Sequence, residues 1–158
     1  MPAVEVNYLR AVVTRVDSAA VSMKVEGIIS IEAIDKGFLV LLGVHTDDTP
    51  DEALKIADRI CGLRVFEDDT GRMNVSPADA GAELLIVSQF TLYADAKQRR
   101  PGFSAAARPE TAIPLYELVI SECRNRGFTV RTGVFGADMT VTSSNNGPVT
   151  IILDTEEL

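Results

Sequence analysis

Two stretches constrain this chain more than any others: residues 37–45 (GFLVLLGVH) and 83–92 (ELLIVSQFTL). The first is a continuous apolar run of strand length, and the second opens with four apolar residues, Leu84 to Val87, before a polar tail at Ser88-Gln89. A strand that is apolar at successive positions cannot show one face to water, so both faces must be covered. The chain therefore needs a central sheet with material packed on each side.

The remaining segments supply that material. Residues 9–16 (LRAVVTRV) and 19–25 read as strands, with Glu26-Gly27 as a turn into a third at 28–31. Residues 128–132, 139–144 and 149–154 read as closing strands. Thr49 is a good helix N-cap, Pro50 suits the first helical position, and Glu52 completes a capping box. Ala53, Ile56, Ala57, Ile60 and Leu63 then recur at helical spacing, with Gly62 near the end. Asp68-Asp69-Thr70-Gly71 is a polar turn. A second helix is expected over 110–126, burying Leu115, Leu118, Val119 and Cys123, with Gly127 as its C-terminal cap. There is no internal repeat and no linker. The expectation is one α+β domain over 1–158, β-rich with two main helices, preceded by a short extension at 1–8.

Charge and residue usage then narrow the chemistry. The formal net charge is −8, which argues against a broad basic surface and against DNA as a partner. The densest basic cluster is Lys97, Arg99 and Arg100, with Arg108 a little later; on charge alone it reads as a solvated loop. No apolar stretch is long enough to span a membrane, and MPAVEVNYLR is not a secretory leader. Cys61 and Cys123 both fall in expected helices, so they read as reduced, buried thiols of a cytoplasmic protein. The one histidine, His45, has no G-x-S-x-G elbow to serve. With one His and two separated Cys, zinc is not expected. Asp47, Asp48, Asp51, Asp68 and Asp69 are accounted for as helix-start and turn residues, although they leave carboxylate-bound magnesium open. No phosphate-binding glycine motif is present, and no cofactor or metal is expected. An enzyme built from this inventory relies on backbone N–H groups, hydroxyls, amides and the substrate's own groups. An activated ester is a suitable target for such a site.

Two segments are oddly polar for their surroundings: Ser88-Gln89-Phe90-Thr91-Leu92, at the end of a buried run, and Asn145-Asn146-Gly147-Pro148-Val149-Thr150, an Asn-rich turn before the last strand. Together they resemble the SQxxL and NxGPxT signatures of the D-aminoacyl-tRNA deacylases, matching every fixed position. The resemblance runs over 9–154 and includes LRVFEDDTGRMN, RRPGFSAAA and TGVFGADM. Thr14 and Gly102 depart from the family's commoner Gln and Ser, outside both signatures.

The resemblance implies a homodimer with active sites at the interface, acting on the acceptor end of aminoacyl-tRNA. It implies a cis Gly147–Pro148 peptide inserted into the partner's pocket, where its carbonyl oxygens capture the amino acid's α-amino group and exclude an L side chain. Ser88, Gln89, Phe90 and Thr91 would line that pocket as the catalytic segment. Backbone N–H groups near Phe90 and Thr91 would act as oxyanion donors, and Thr91 as a positioning group in preference to a nucleophile. Asn145, Thr150, Arg15, Met139 and Phe135 would complete the substrate site, with Arg15 holding the Gly-Pro loop and Met139 and Phe135 shaping the adenosine end. Lys97, Arg99 and Arg100 would meet tRNA phosphates. The ribose 2′-hydroxyl of the terminal adenosine would assist hydrolysis, and glycine mischarged on tRNA(Ala) would be a second substrate. Two other readings are a non-catalytic RNA-end binding module of the same fold and a general esterase using Ser88 and His45.

Overall fold

A computed structural model describes residues 9–158; the extension expected at 1–8 lies outside the described residues. Its organising element is β1 (Arg10–Val25), a 16-residue strand. Residues 10–16 pair antiparallel with β3 (Gly37–Gly43), and residues 19–25 pair with β2 (Ile28–Ile34). The two strands expected at 9–16 and 19–25 are thus one. Exposed Asp17 and Ser18 interrupt the apolar alternation, and there the strand changes partner without ending.

From β3 the chain enters α1 (Pro50–Gly62), whose start has the expected box: Thr49 N–H and Oγ1 both donate to the Glu52 carboxylate, at 2.6 and 2.5 Å. A small hairpin follows, β4 (Phe66–Glu67) and β5 (Met73–Val75), closed by the polar turn at 68–71. β6 (Glu83–Ser88) then runs parallel to β3, and β7 (Val130–Thr132) parallel to β6. Between them lies α2 (Pro109–Asn125), with Gly127 just beyond it at φ +94°. The run 83–92 does not stay extended: β6 stops at Ser88, and Phe90–Tyr93 forms a 3-10 turn. Likewise 128–132 contributes only three strand residues.

The last strand, β8 (Asp138–Asp154), is the largest correction. The sequence suggests two strands and a turn; the chain instead runs as one 17-residue strand along the second edge of β1. The sheet order is β2-β1-β3-β6-β7, with β8 also on β1. Long-range pairing to β1 overrides the local turn preference of Asn-Asn-Gly-Pro.

The core divides by face. Ala11, Val13, Phe38, Val40, Leu42, Leu84 and Ile86 pack under both helices. Leu39, Leu85 and Val87 point the other way, where the curled outer half of β1 (Ala19, Val21, Met23) covers them in a near-barrel closure. This two-sided burial is what the unbroken apolar runs demanded; each fully buried side chain of this size contributes about 1.5–3 kcal/mol. Cys61 and Cys123 meet between the helices as free thiols, Sγ–Sγ 3.6 Å. No helix of the described residues is long and apolar enough to cross a membrane.

Candidate functional site

The residues singled out by the sequence fall into two groups. The first gathers where β6 ends. Ser88 is paired with Leu42 of β3, Gln89 N–H donates to the Leu42 carbonyl at 2.8 Å, and the 3-10 turn follows at once. The turn is held from beneath. The Tyr93 hydroxyl donates to the Gly43 carbonyl at 3.1 Å, while Arg10 donates from Nη1 to the Leu92 carbonyl at 3.1 Å and from Nε to Asp154 at 2.8 Å. Gly43 is required for this approach, because a Cβ there would lie 2.9 Å from Tyr93 Cε2 and 3.0 Å from the Gln89 carbonyl oxygen. Leu92 N–H is the first internally bonded one, to Gln89 O at 3.2 Å, so the N–H groups of Phe90 and Thr91 stand ahead of the turn's own ladder. Gln89 Nε2 donates to Thr91 Oγ1. Met139 lies beside Val87 in the second core, and Phe135 sits 6.4 Å from the Tyr116 ring, whose hydroxyl donates to the Ile86 carbonyl at 2.7 Å. A cleft of about 570 Å³ opens there between α2 and residues 132–135.

The second group is a bulge in β8. Thr150 is paired with Thr14 and Asn145 with Val16, so residues 146–149 stand opposite Arg15 alone. The Gly147–Pro148 peptide is cis, Gly147 has φ +122°, and Asn145 to Pro148 are exposed. Beneath them Arg15 is 6% exposed. It donates from Nη1 to the Val65 carbonyl at 2.6 Å, from Nη2 to Asn146 Oδ1 at 3.0 Å, and from Nε to the Asn146 carbonyl at 3.4 Å. Asn146 Nδ2 in turn donates to Asp17 at 2.7 Å. A Cβ on Gly147 would lie 2.8 Å from Val149 Cγ2 and 3.1 Å from Arg15 Nη2. A single buried guanidinium thus fixes the main chain of the bulge. Thr14 and Thr150 hydroxyls meet at 3.3 Å below it.

The structure does not bring these groups together within one chain. Leu42 of β3 marks the rung of Ser88, and Phe38 the rung of Arg15. Four residues of strand separate them, roughly 13 Å, and three strand spacings separate β6 from β8, roughly 14 Å. The rung joining the groups on the face away from the helices is apolar: Ile152, Val12, Leu41 and Val87 are successive partners across β8, β1, β3 and β6. Ile152 on that row is 73% exposed.

Other sequence candidates sit elsewhere. His45 Nδ1 accepts from Asp47 N–H at 3.1 Å, and its ring lies edge-on to Tyr93 at 5.6 Å. Asp48, beside it, accepts from His45 N–H at 2.6 Å through Oδ2, while Oδ1 is buried without a hydrogen bond. Burial, above all, pushes this carboxyl up to about 7, despite the bond from His45 N–H. Sequence reasoning missed Asp48 as a special group because its position read simply as helix-start chemistry. Burial also raises the Tyr93 hydroxyl well above its usual range. Lys97, Arg99 and Arg100 are exposed on a loop closed by the Asp95–Gly102 bridge. Among the described residues no three His, Cys, Asp or Glu side chains gather as a metal site.

The family model for D-Tyr-tRNA(Tyr) deacylase matches residues 12–154. The D-aminoacyl-tRNA deacylase of Thermus aquaticus is 51% identical over 94% of this chain and 97% of its own length. That of Clostridioides difficile (strain 630) is 50% identical over 94% and 99%. A solved structure described as a c-Myc DNA unwinding element binding protein superimposes with TM-score 0.82 at 39% identity, covering 91% of this chain and 97% of its own. A second, described as a probable eukaryotic D-amino acid tRNA deacylase, shares the fold at TM-score 0.80 and 16% identity, over 93% of this chain and 99% of its own. The chain belongs to the D-Tyr-tRNA(Tyr) deacylase family, a family of ester hydrolases.

Proposed function

We propose that this protein hydrolyses the ester bond of D-aminoacyl-tRNA, releasing D-amino acid and tRNA, and sorts substrates by handedness through the Gly147–Pro148 loop. The observation that carries the reading is the bulge itself: exposed main chain, presented outward and held on a buried arginine. Main chain held in this way offers carbonyl oxygens to an α-amino group and no space for a side chain of the wrong hand. Ser88, Gln89, Phe90 and Thr91 form the other wall. The N–H groups of Phe90 and Thr91 receive the developing oxyanion, and preorganised donors of this kind are worth about 2.7–4 kcal/mol each. The ribose 2′-hydroxyl assists the attacking water. Asn145 and Thr150 flank the loop, while Met139 and Phe135 frame the adenosine side.

One chain holds the two walls too far apart for one ester. A homodimer solves this, with the loop of one subunit entering beside the turn of the other. The apolar row from Ile152 to Val87 supports such an interface at its Ile152 end, where a large apolar side chain stands 73% exposed and is suited to cover by a second copy. The compartment that fits an aminoacyl-tRNA substrate and two free thiols is the cytoplasm. Glycine on tRNA(Ala), lacking a side chain to reject, fits the same pocket. The net charge of −8 favours an RNA end met at one loop over duplex DNA.

The test is hydrolysis of D-tyrosyl-tRNA against L-tyrosyl-tRNA. The expected result is cleavage of the D ester alone. Equal cleavage of both, or of neither, overturns the proposal. Salt-dependent RNA binding without cleavage would select the non-catalytic module, and loss of small-ester hydrolysis in His45→Ala would select the general esterase.

A further inference from the structure

Phe90 and Phe103 are large aromatic side chains left at the surface, 54% and 36% exposed, in edge-to-face contact at 5.3 Å. Phe90 belongs to the turn that carries Thr91. Phe103 follows directly on a loop closed by two hydrogen bonds, Asp95 N–H to Gly102 O at 2.7 Å and Gly102 N–H to Asp95 O at 3.0 Å. Beyond Phe103 the chain is stitched to the end of β3: Thr46 N–H donates to Ala105 O at 3.1 Å, and Ala107 N–H to Val44 O at 2.9 Å. Phe103 is therefore fixed on both sides and still presented to solvent. The closed loop carries Lys97, Arg99 and Arg100, all exposed, in a chain of net charge −8. Its one carboxylate, Asp95, accepts from Lys97 N–H at 3.0 Å.

We infer that Phe90 and Phe103 form a stacking platform for the base of an unpaired nucleotide at an RNA 3′ end, with the 95–102 loop meeting the adjoining phosphate. Exposed aromatics beside a cluster of cations are the combination that binds single-stranded nucleic acid, because every base has a stacking face and every nucleotide a charge. A protein partner would use the apolar rings and leave three cations unmatched. The location adds a reason: an RNA that delivers its terminal ester to Thr91 must bring its preceding nucleotide past the neighbouring surface. The inference deepens the deacylase reading and rests on it for the identity of the RNA.

The test uses a short 3′-terminal RNA oligonucleotide carrying 2-aminopurine next to the terminal adenosine, titrated against the full chain. Stacking is expected to quench its fluorescence on binding. Phe103→Leu, which keeps apolar bulk and removes the ring, is expected to weaken binding about tenfold, and Phe103→Tyr to restore it. Arg100→Ala is expected to flatten the dependence of log affinity on log salt by ~0.7. Absence of quenching, or equal affinity of Phe103→Leu and the parent, overturns the platform. Steady-state kinetics separate the two readings. Binding and quenching without cleavage of D-tyrosyl-tRNA sink the deacylase and leave the platform standing. Cleavage with an unchanged KM in Phe103→Leu sinks the platform alone.

Discussion

The two polar segments of this chain interrupt the sheet in opposite ways. The Ser88–Tyr93 segment comes at the end of a buried parallel strand and is braced from beneath, by buried Tyr93 on Gly43 and half-exposed Arg10 on Leu92. The Asn145–Thr150 segment breaks out of the middle of an edge strand, lies in solvent, and rests on the single guanidinium of Arg15. The first is positioned by the fold as a whole, with several supports that share the load. The second hangs chiefly on Arg15 through Asn146, whose amide also reaches Asp17, and on one glycine. Substitutions should therefore be absorbed around the turn and magnified around the loop, and variants can be ranked on that contrast.

Gly147→Ala is the harshest test. The added Cβ meets Val149 at 2.8 Å and Arg15 at 3.1 Å, in a backbone region of positive φ that costs an L residue about 1–2 kcal/mol. Being exposed, the loop can shift to relieve the clash, so the fold survives while the presented surface moves. Deacylation of D-tyrosyl-tRNA is expected to fall at least ~100-fold, since small misplacements cost on that scale, with the protein still folded and its thermal midpoint lowered by only about 2–8 °C. Activity within a few-fold of the parent would show that the loop is not the selecting surface.

Arg15→Met comes next. It removes the donor from a buried carbonyl, Val65 O, and from Asn146, a loss of about 2–3 kcal/mol in chemical denaturation. Arg15→Lys is expected to recover part of that stability and little of the activity, because a single ammonium cannot span Val65 and both oxygens of Asn146. Recovery of both together would mean that charge alone, and not the fork, holds the bulge.

The same contrast governs what could be read from the sequence. The buried strands at 37–43 and 83–88 and both helices announce themselves by period and capping, because their partners are built by the same local rules. The fate of Asn145 to Pro148 is decided by β1, more than a hundred residues away, so a local reading sees a turn where the chain makes a bulge. Arg15 was legible only through the resemblance, and only the tertiary structure reveals Val65 and Asn146 as its partners. The resemblance singled out both segments and implied that they meet only between two subunits; the register of β1, β3 and β6 shows that one chain keeps them apart. Phe103 gave no signal, since its exposure is set by the stitching of 105–107 to the end of β3.

Asp48 tests the braced side through pH. Burial raises its carboxyl from the ordinary 3.8 to about 7, so folding takes up a proton between those values. The folded state is then favoured at the acid end of the window and loses stability as pH rises through about 7. A shift of this size corresponds to on the order of 1 kcal/mol per pH unit across the window, about 2–4 °C for each kcal/mol in a chain of this size. Asp48→Asn is expected to flatten the change in thermal midpoint between pH 5 and pH 8. A midpoint that falls just as steeply in the variant would assign the dependence to another group.

The smallest effect is expected where chemical intuition looks first. Thr91 offers a hydroxyl beside the proposed scissile ester, yet nothing around it is built to take its proton. Its side-chain partner is the amide of Gln89, which donates to the oxygen and has no basic lone pair to offer. His45 is engaged with Asp47 and set against Tyr93. What the turn contributes is main chain, and Thr91→Ala leaves that in place, braced by Tyr93 and Arg10. Single-turnover cleavage by Thr91→Ala is therefore expected within about tenfold of the parent, the scale of one lost hydrogen bond. A drop beyond about a thousandfold in a folded variant would make Thr91 the nucleophile, and the turn would then depend on one side chain as the loop depends on Arg15.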